Sequence, residues 1–444
     1  MSLQVKHIPQ NYRTVYNPVE VVMYETSNTI RNYTGFAYLI DVKDGSTTVG
    51  RLKVPPTTNG YGRFDLSGIM ESYLTTDIGT LNGTNIESIF FNTNSWKQFT
   101  LEFGWIHYLG GTATTSIPQD VTIGDASPVA SVNLVVINGA LPNYRRDLVN
   151  FYDYQSTDYY LKFITNATTR RFLTNQPKGV SQNNVKNLSL EYTDEGYLYI
   201  LYDQSIGVFD SVELQTYNSS GTDLDLSVLS LQNLSSQRHL RIPSAPTTLN
   251  AIVSSRVSTG SQPIVATTAT SYSLQLKNGS AYVSEKMWFN IDTACRYETR
   301  RLEFLNSLGG FDYYNFTKVS RHTEDIERKF FKTTPNDLNT STGAIDYSIA
   351  NREKVQYYTK SISKMKLISD WVDADKFNWL LELIESPEIY LLDSYTAPSG
   401  STEIRRLPIK NIENNWEEKV NAVDNIFNLE IDLEFSMDNF RQRF

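Results

Sequence analysis

Catalysis needs side chains that can attack, move protons or hold metals, and this chain of 444 residues spaces few of them usefully. It has four histidines, His7, His107, His239 and His322, and one cysteine, Cys295. No two histidines stand at the His-x-x-x-His spacing that sets two imidazoles on one helix face around zinc, so each reads as a surface or strand-face residue. A single cysteine allows neither an intrachain disulfide nor a Cys-rich metal site. A lone thiol is more often a small buried apolar group than a nucleophile. Asp223-Leu-Asp225 could mimic a metal-binding Asp-x-Asp, but its alternation with Leu224 and Leu226 assigns the carboxylates to the polar face of a strand. Asp41, Asp44 and Gly45 match part of a calcium loop; without the ligand ladder and the closing Glu they read as a hairpin turn. Gly60-Tyr61-Gly62 lacks the third glycine and the helix of a dinucleotide fold and reads as a turn. Neither a Gly-x-Ser-x-Gly elbow nor a Walker A loop is present. With 49 acidic residues, carboxylate pairs for glycoside cleavage exist in principle, and separation in space decides among them. These observations lead to the expectation of a non-enzymatic protein with no catalytic residue, cofactor or metal.

The bulk composition points the same way. A net charge of −9 gives no reason to expect a nucleic-acid partner, because phosphate contacts need clustered Lys and Arg. No window holds the ~18 consecutive apolar residues of a membrane helix, so no membrane insertion is expected. The start, MSLQVKHIPQNYRTVYNP, lacks the apolar core of a secretory signal. With one cysteine, this favours synthesis in a bacterial cytoplasm. Aromatic residues make up 12%, mostly 28 Tyr and 21 Phe, a mixture suited to strands with one wet face. Exposed Tyr and Trp could also stack on sugar rings, so a carbohydrate-binding or sugar-cleaving β-sandwich protein at a host cell surface is the competing reading.

The elements that would position any site are mainly strands. Period-2 alternation picks out Val19–Tyr24, Gly35–Ile40 running into an Asp44-Gly45 turn, Thr48–Val54, Gly62–Leu66 and Phe99–Tyr108. Ser67–Tyr73 reads as a short helix or turn with Ser67 at its N-cap. A second β region starts at Val132–Ile137 and includes Tyr159–Thr165, Val185–Glu191, Tyr197–Tyr202, Val208–Tyr217, Leu224–Leu231 and Ser271–Leu276. Further on, Cys295–Phe316 reads as a hairpin, with strands Thr299–Asn306 and Phe311–Phe316. Gly309 and Gly310 supply the positive φ of the turn. Alternation would expose Tyr313 or Tyr314 and bury Phe311 and Phe316, so Gly309, Gly310, Tyr313 and Tyr314 are candidate interface residues; the alternative is that the hairpin packs a sheet. Lys318–Arg328 reads as a charged segment and Phe330–Ser341 as a polar loop, followed by a strand at Lys354–Met365. The one long helix is Asp373–Ile384, capped by Asp370 or Asp373 and ended by Ser386-Pro387. Its expected apolar face is Phe377, Leu380, Leu381 and Ile384. Strands Glu388–Leu392, Arg406–Asn411, Trp416–Lys419 and Asn428–Phe435 follow. The fold class expected is mainly β, with several immunoglobulin- or fibronectin-like β-sandwich domains plus a C-terminal α+β module. The division is 1–130 and 131–280 as sandwiches and 281–444 as a hairpin-rich region carrying that module.

Two segments carry a resemblance: YLIDVKDGSTTVGRLKVPPTTNGYGRFDLSGIMESYL at 38–74 and SEKMWFNIDTACRYETRRLEFLNSLGGFDYYNF at 284–316, with SPEIYLL further on. Together they resemble structural proteins of the tail, baseplate or collar of tailed bacteriophages, including crAss-like viruses of Bacteroidetes hosts. The resemblance implies a virion component that assembles with copies of itself into a ring or fibre base and with other tail proteins. It implies no active site.

Overall fold

The alternating segments fold as strands. The computed structural model describes every residue except 1, 2, 10, 11, 110, 124–126, 142–161, 232, 233, 235–237, 261, 294–296, 335, 348, 413–425, 438 and 441–444. The protein is mainly β, with 49% strand and 8% helix in several sheets, none of them closed. It divides into two compact units, Met1–Thr293 with Leu305–Asp312, and Ala294–Phe304 with Tyr313–Phe444. Cys295 and the expected strand Trp416–Lys419 lie outside the described residues.

The first unit begins with two sheets over one core. A four-stranded sheet runs in the order Thr122–Ile123, Leu3–His7, Glu20–Glu25, Tyr61–Asp65. A six-stranded sheet runs Tyr12–Thr14, Ser131–Ile137, Trp96–Leu109, Ala37–Asp44, Thr47–Val54, with Thr112–Ser116 paired to Trp96–Leu109. Alternate residues of each point inward: Leu3, Val5, Val21 and Met23 from one sheet meet Tyr38, Ile40, Phe99, Phe103 and Leu134 from the other. The Asp44-Gly45 hairpin forms as expected, with Gly45 at φ +58°.

Two expectations change here. Ser131–Ile137 does not open the second region but completes the first. It pairs antiparallel with Trp96–Leu109 from Ser131↔Glu102 to Ile137↔Trp96, and parallel with Tyr12–Thr14. Its apolar run suits any buried strand, so the local pattern carries no information about the neighbour. The short helix forms at Ser67–Glu71, but Leu66 holds the N-cap position. The carboxylate of Asp65 accepts the Ser67 N–H at 3.0 Å.

The rest of the first unit contains a seven-stranded sheet in the order Leu188–Leu190, Met287–Ile291, Ser271–Asn278, Ser211–Tyr217, Asp223–Ser230, Val257–Thr259, with Ala281–Tyr282 paired to Ser271–Asn278. A three-stranded sheet runs Tyr197–Leu201, His239–Pro243, Phe90–Phe91. Where a strand was expected at Tyr159–Thr165, residues 162–164 are helical and 159–161 lie outside the described residues.

The second unit is built on an eight-stranded sheet in the order Phe311–Phe316, Arg300–Leu305, Ile389–Thr396, Thr402–Asn411, Glu430–Phe435, Lys354–Ile368, Arg321–Lys332, with Asn439–Phe440 paired to Lys354–Ile368. The helix spans Ala374–Glu385. Asp373 caps it, its carboxylate accepting the Lys376 N–H at 2.8 Å. Ser386 is extended, as a residue before proline must be, and ends it. The buried stripe is Phe377, Trp379, Leu380 and Leu383, while Leu381 and Ile384 are only partly buried. Phe377 and Leu380 are buried as the period predicts, while Trp379 and Leu383 take the inward places expected of Leu381 and Ile384. The largest side chain, Trp379, turns inward against the rings of Phe304 at 5.8 Å and Tyr314 at 6.0 Å, and burying an indole outweighs burying Leu381.

Candidate functional site

Among the described residues, the constellation that resembles a nucleophile with its base is Asp77, Ser95 and His239. Asp77 fixes the loop entering strand Trp96–Leu109, accepting the N–H groups of Asn94 at 2.7 Å and Ser95 at 3.0 Å. The Ser95 hydroxyl lies 2.6 Å from Nδ1 of His239 and 3.2 Å from the Asp77 carboxylate. Asp77 bonds the serine, and among the described residues no hydrogen bond joins it to His239, whereas a hydrolase triad has the acid holding the histidine. Both Ser95 and His239 are fully buried. Burial pushes the imidazole down to about 3, so it stays neutral, and Nε2 has no hydrogen-bond partner among the described residues. The group joins residues distant in sequence; Ser95 and His239 are closed to solvent, while Asp77 is partly exposed.

A second buried polar group does similar work. Tyr12 donates its hydroxyl to Asp203, which also takes the N–H of Ser205 at 2.9 Å and pairs with Arg238 at 3.1 Å. Burial pushes Asp203 up, but the hydrogen bonds from Ser205 and Tyr12 and the Arg238 charge outweigh it and hold the carboxyl below its ordinary range. Among the described residues no cluster of three or more His, Cys, Asp or Glu is placed to hold a metal ion.

Of the other residues singled out by type, His7, His107 and His322 lie in strands; His107 stacks on Tyr33 at 4.5 Å, and His322 lines a cavity of the second unit. Asp41 is buried and takes both Nε and Nη2 of Arg51 at 2.6 Å. Asp223 and Asp225 lie in a strand, in which Asp223, Leu224 and Leu226 are exposed and Asp225 is partly buried.

The hairpin forms from Arg300–Leu305 and Phe311–Phe316, but its four candidate interface residues are not on the surface. Only Gly309 has positive φ, +88°. Gly310 is glycine for a different reason: a Cβ there would meet Tyr199. Asn306 holds the turn, its side-chain oxygen accepting the N–H groups of Leu308 and Gly310, both at 3.0 Å. Tyr313 and Tyr314 are each 5% exposed, which corrects the expectation that one of them is displayed. The Tyr313 hydroxyl donates to the buried Glu303 at 2.8 Å, and Arg406 also grips that carboxylate. Tyr314 is packed against Trp379 and Phe316, and burial pushes its hydroxyl pKa up. Strict alternation fails because both faces of these strands are covered, so polar positions are buried with partners.

Two surface features of the second unit were not anticipated. A cavity of about 440 Å3 lies on the helix-bearing face of the eight-stranded sheet, with Met365, Leu391, Leu407 and Phe435 as its apolar wall. At its rim Asp393 is shared by Arg405, at 2.9 Å, and Arg300, at 3.8 Å. Two guanidinium groups on one carboxylate leave donors for an acidic or hydroxylated ligand.

The second feature is the sheet edge. Arg321–Lys332 is a strand of 12 residues, every one exposed, where a charged segment and a polar loop were expected. It pairs with Lys354–Ile368 over its whole length, from Arg321↔Lys366 to Lys332↔Lys354. A smaller hairpin, Asn336–Leu338 with Ile345–Tyr347, follows. This ribbon displays Ile326, Phe330, Phe331, Leu338, Ile345, Ile349 and Tyr357. At ~150–250 Å2 for a large side chain, the exposed area of these residues, summed over both faces of the ribbon and the small hairpin, is on the order of 800 Å2. The signal was in the sequence. Arg321–Lys332 is unbroken by Gly or Pro and carries Thr323, Ile326, Phe330 and Phe331, but its charge density masks the alternation.

No protein-family model matches the chain, and no curated protein matches it.

Proposed function

We propose that this chain is a non-enzymatic structural protein of a bacteriophage tail, part of a baseplate, tail ring or fibre adaptor, made in the host cytoplasm and residing in the virion. The observation that carries the reading is the exposed edge ribbon. A long unpaired edge with apolar side chains is a liability for a solitary protein and an asset for one that assembles. Ile326, Phe330, Phe331 and Tyr357 are apolar or aromatic side chains that such an assembly would cover. The partners are copies of this chain and other tail proteins, with no role for nucleic acid. The finer architecture belongs to the same proposal: two sheets over one core suit immunoglobulin- or fibronectin-like sandwiches, and the helix on the second unit's sheet suits an α+β module.

The test is incorporation of a tagged chain into particles, read by mass spectrometry of purified virions. Absence of the wild-type chain from every particle removes the reading. Incubation with host polysaccharides should release no reducing ends, and turnover abolished by a single Asp or Glu substitution would overturn the non-enzymatic part. The Arg300–Asp393–Arg405 rim supports a second reading, glycan binding at the host surface, tested by titrating host oligosaccharides against the Arg405→Ala variant.

A further inference from the structure

One face of the edge strand is complementary to itself. Alternation puts Glu324, Ile326 and Arg328 on the same face, opposite Ser363, Ser361 and Thr359 of the neighbouring strand. Those partners are short, so the three side chains stand above the sheet. Glu324 and Arg328 are four residues apart on an extended strand, about 13 Å, too far to pair with each other. Among the described residues neither makes an ion pair; Glu324 accepts only the Ser361 hydroxyl at 3.1 Å. The opposite face differs: there Asp325 pairs with Lys364 at 2.5 Å and Glu327 with Lys329 at 3.3 Å.

We propose that this face is a two-fold interface with a second copy of the chain. A copy laid antiparallel over it, turned about an axis through Ile326, sets Glu324 against Arg328 twice and packs Ile326 on its counterpart. A two-fold interface requires this reciprocity, residue i meeting j and j meeting i. The charges give the contact its register, and Ile326 packed on its counterpart gives it an apolar centre. The inference rests on the reading of the ribbon as an assembly element and names its partner.

Sedimentation velocity of the full chain tests it through Glu324→Arg, Arg328→Glu and the double exchange. Both positions of change are solvent-exposed, and unchanged thermal unfolding confirms that the variants fold. Each single reversal should raise the dimer dissociation constant at least about tenfold, and the double exchange should restore it to within about threefold. Raising the salt concentration should weaken the wild-type dimer. A wild type that stays monomeric throughout, single variants that dimerise as well as wild type, or a double exchange that fails to restore the dimer each overturn the proposal. A chain monomeric in solution yet present in virions removes this contact and leaves the assembly reading. A chain that dimerises through these charges yet is absent from virions removes the tail reading and leaves the contact.

Discussion

Gly310 lies against Tyr199: a Cβ at position 310 would stand 2.9 Å from the Tyr199 Cβ and 3.2 Å from the carbonyl oxygen of Leu173. The hairpin tip is therefore packed within the first unit, and its glycines are required there for space as well as for turn geometry.

Gly310→Val should destabilise the protein by overpacking, at roughly 1–3 kcal/mol. Gly309→Ala meets two obstacles, the +88° φ and the Asn138 carbonyl, and should cost at least as much. Urea denaturation of the first unit's transition is the measurement. Wild-type stability for both variants would show that the tip can move aside.

In the helix, Leu383→Ala should cost about 2–5 kcal/mol, because the side chain is fully buried. Leu381→Ala, at a partly buried position, should cost about 1 kcal/mol or less. Thermal unfolding of the two variants side by side decides; the reverse order would restore the face expected from periodicity.

His239 links stability to pH. In the unfolded chain the imidazole titrates near 6.5, and burial brings it down to about 3 in the folded one. The unfolded state therefore binds more protons between these values. The stability is fully present above about 6.5 and is lost as pH falls toward 3, by at most about 1.4 kcal/mol per pH unit. His239→Gln should flatten this part of the stability curve. An unchanged acid slope in that variant would mean that other groups govern it.

Glu303 is buried between Tyr313 and Arg406. Arg406→Ala should cost about 3–5 kcal/mol, since it strands a buried carboxylate. Tyr313→Phe should cost about 1.5–3 kcal/mol for one hydrogen bond to a charged group. Denaturant midpoints test the order, and a Tyr313→Phe variant as stable as wild type would show that the hydroxyl carries no net energy.

Local chemistry was legible where one residue or one short pattern decides it. The Asp44-Gly45 turn, the Asp373 cap, the stop at Ser386-Pro387 and the mainly β character all follow from backbone preferences that act over a few residues. Tertiary structure decided the partners. Nothing in Ser131–Ile137 says that it completes the first sheets, because an apolar strand fits any sheet with a free edge. Nothing around Tyr313 and Tyr314 says that both faces of their strand are covered, which turns alternation into uniform burial. Trp379 took the inward position on its helix because the sheet could receive an indole. Arg321–Lys332 became an exposed edge because Lys354–Ile368 gave it one neighbour and the sheet gave it no second. Local sterics and hydrogen bonding settle these turns, caps and stops, so the residues alone determine them; at Arg321–Lys332 and at residues 162–164 the local pattern does not match the element that forms. Which faces are buried, and therefore which residues remain free to meet another molecule, depends on contacts between residues far apart in the chain.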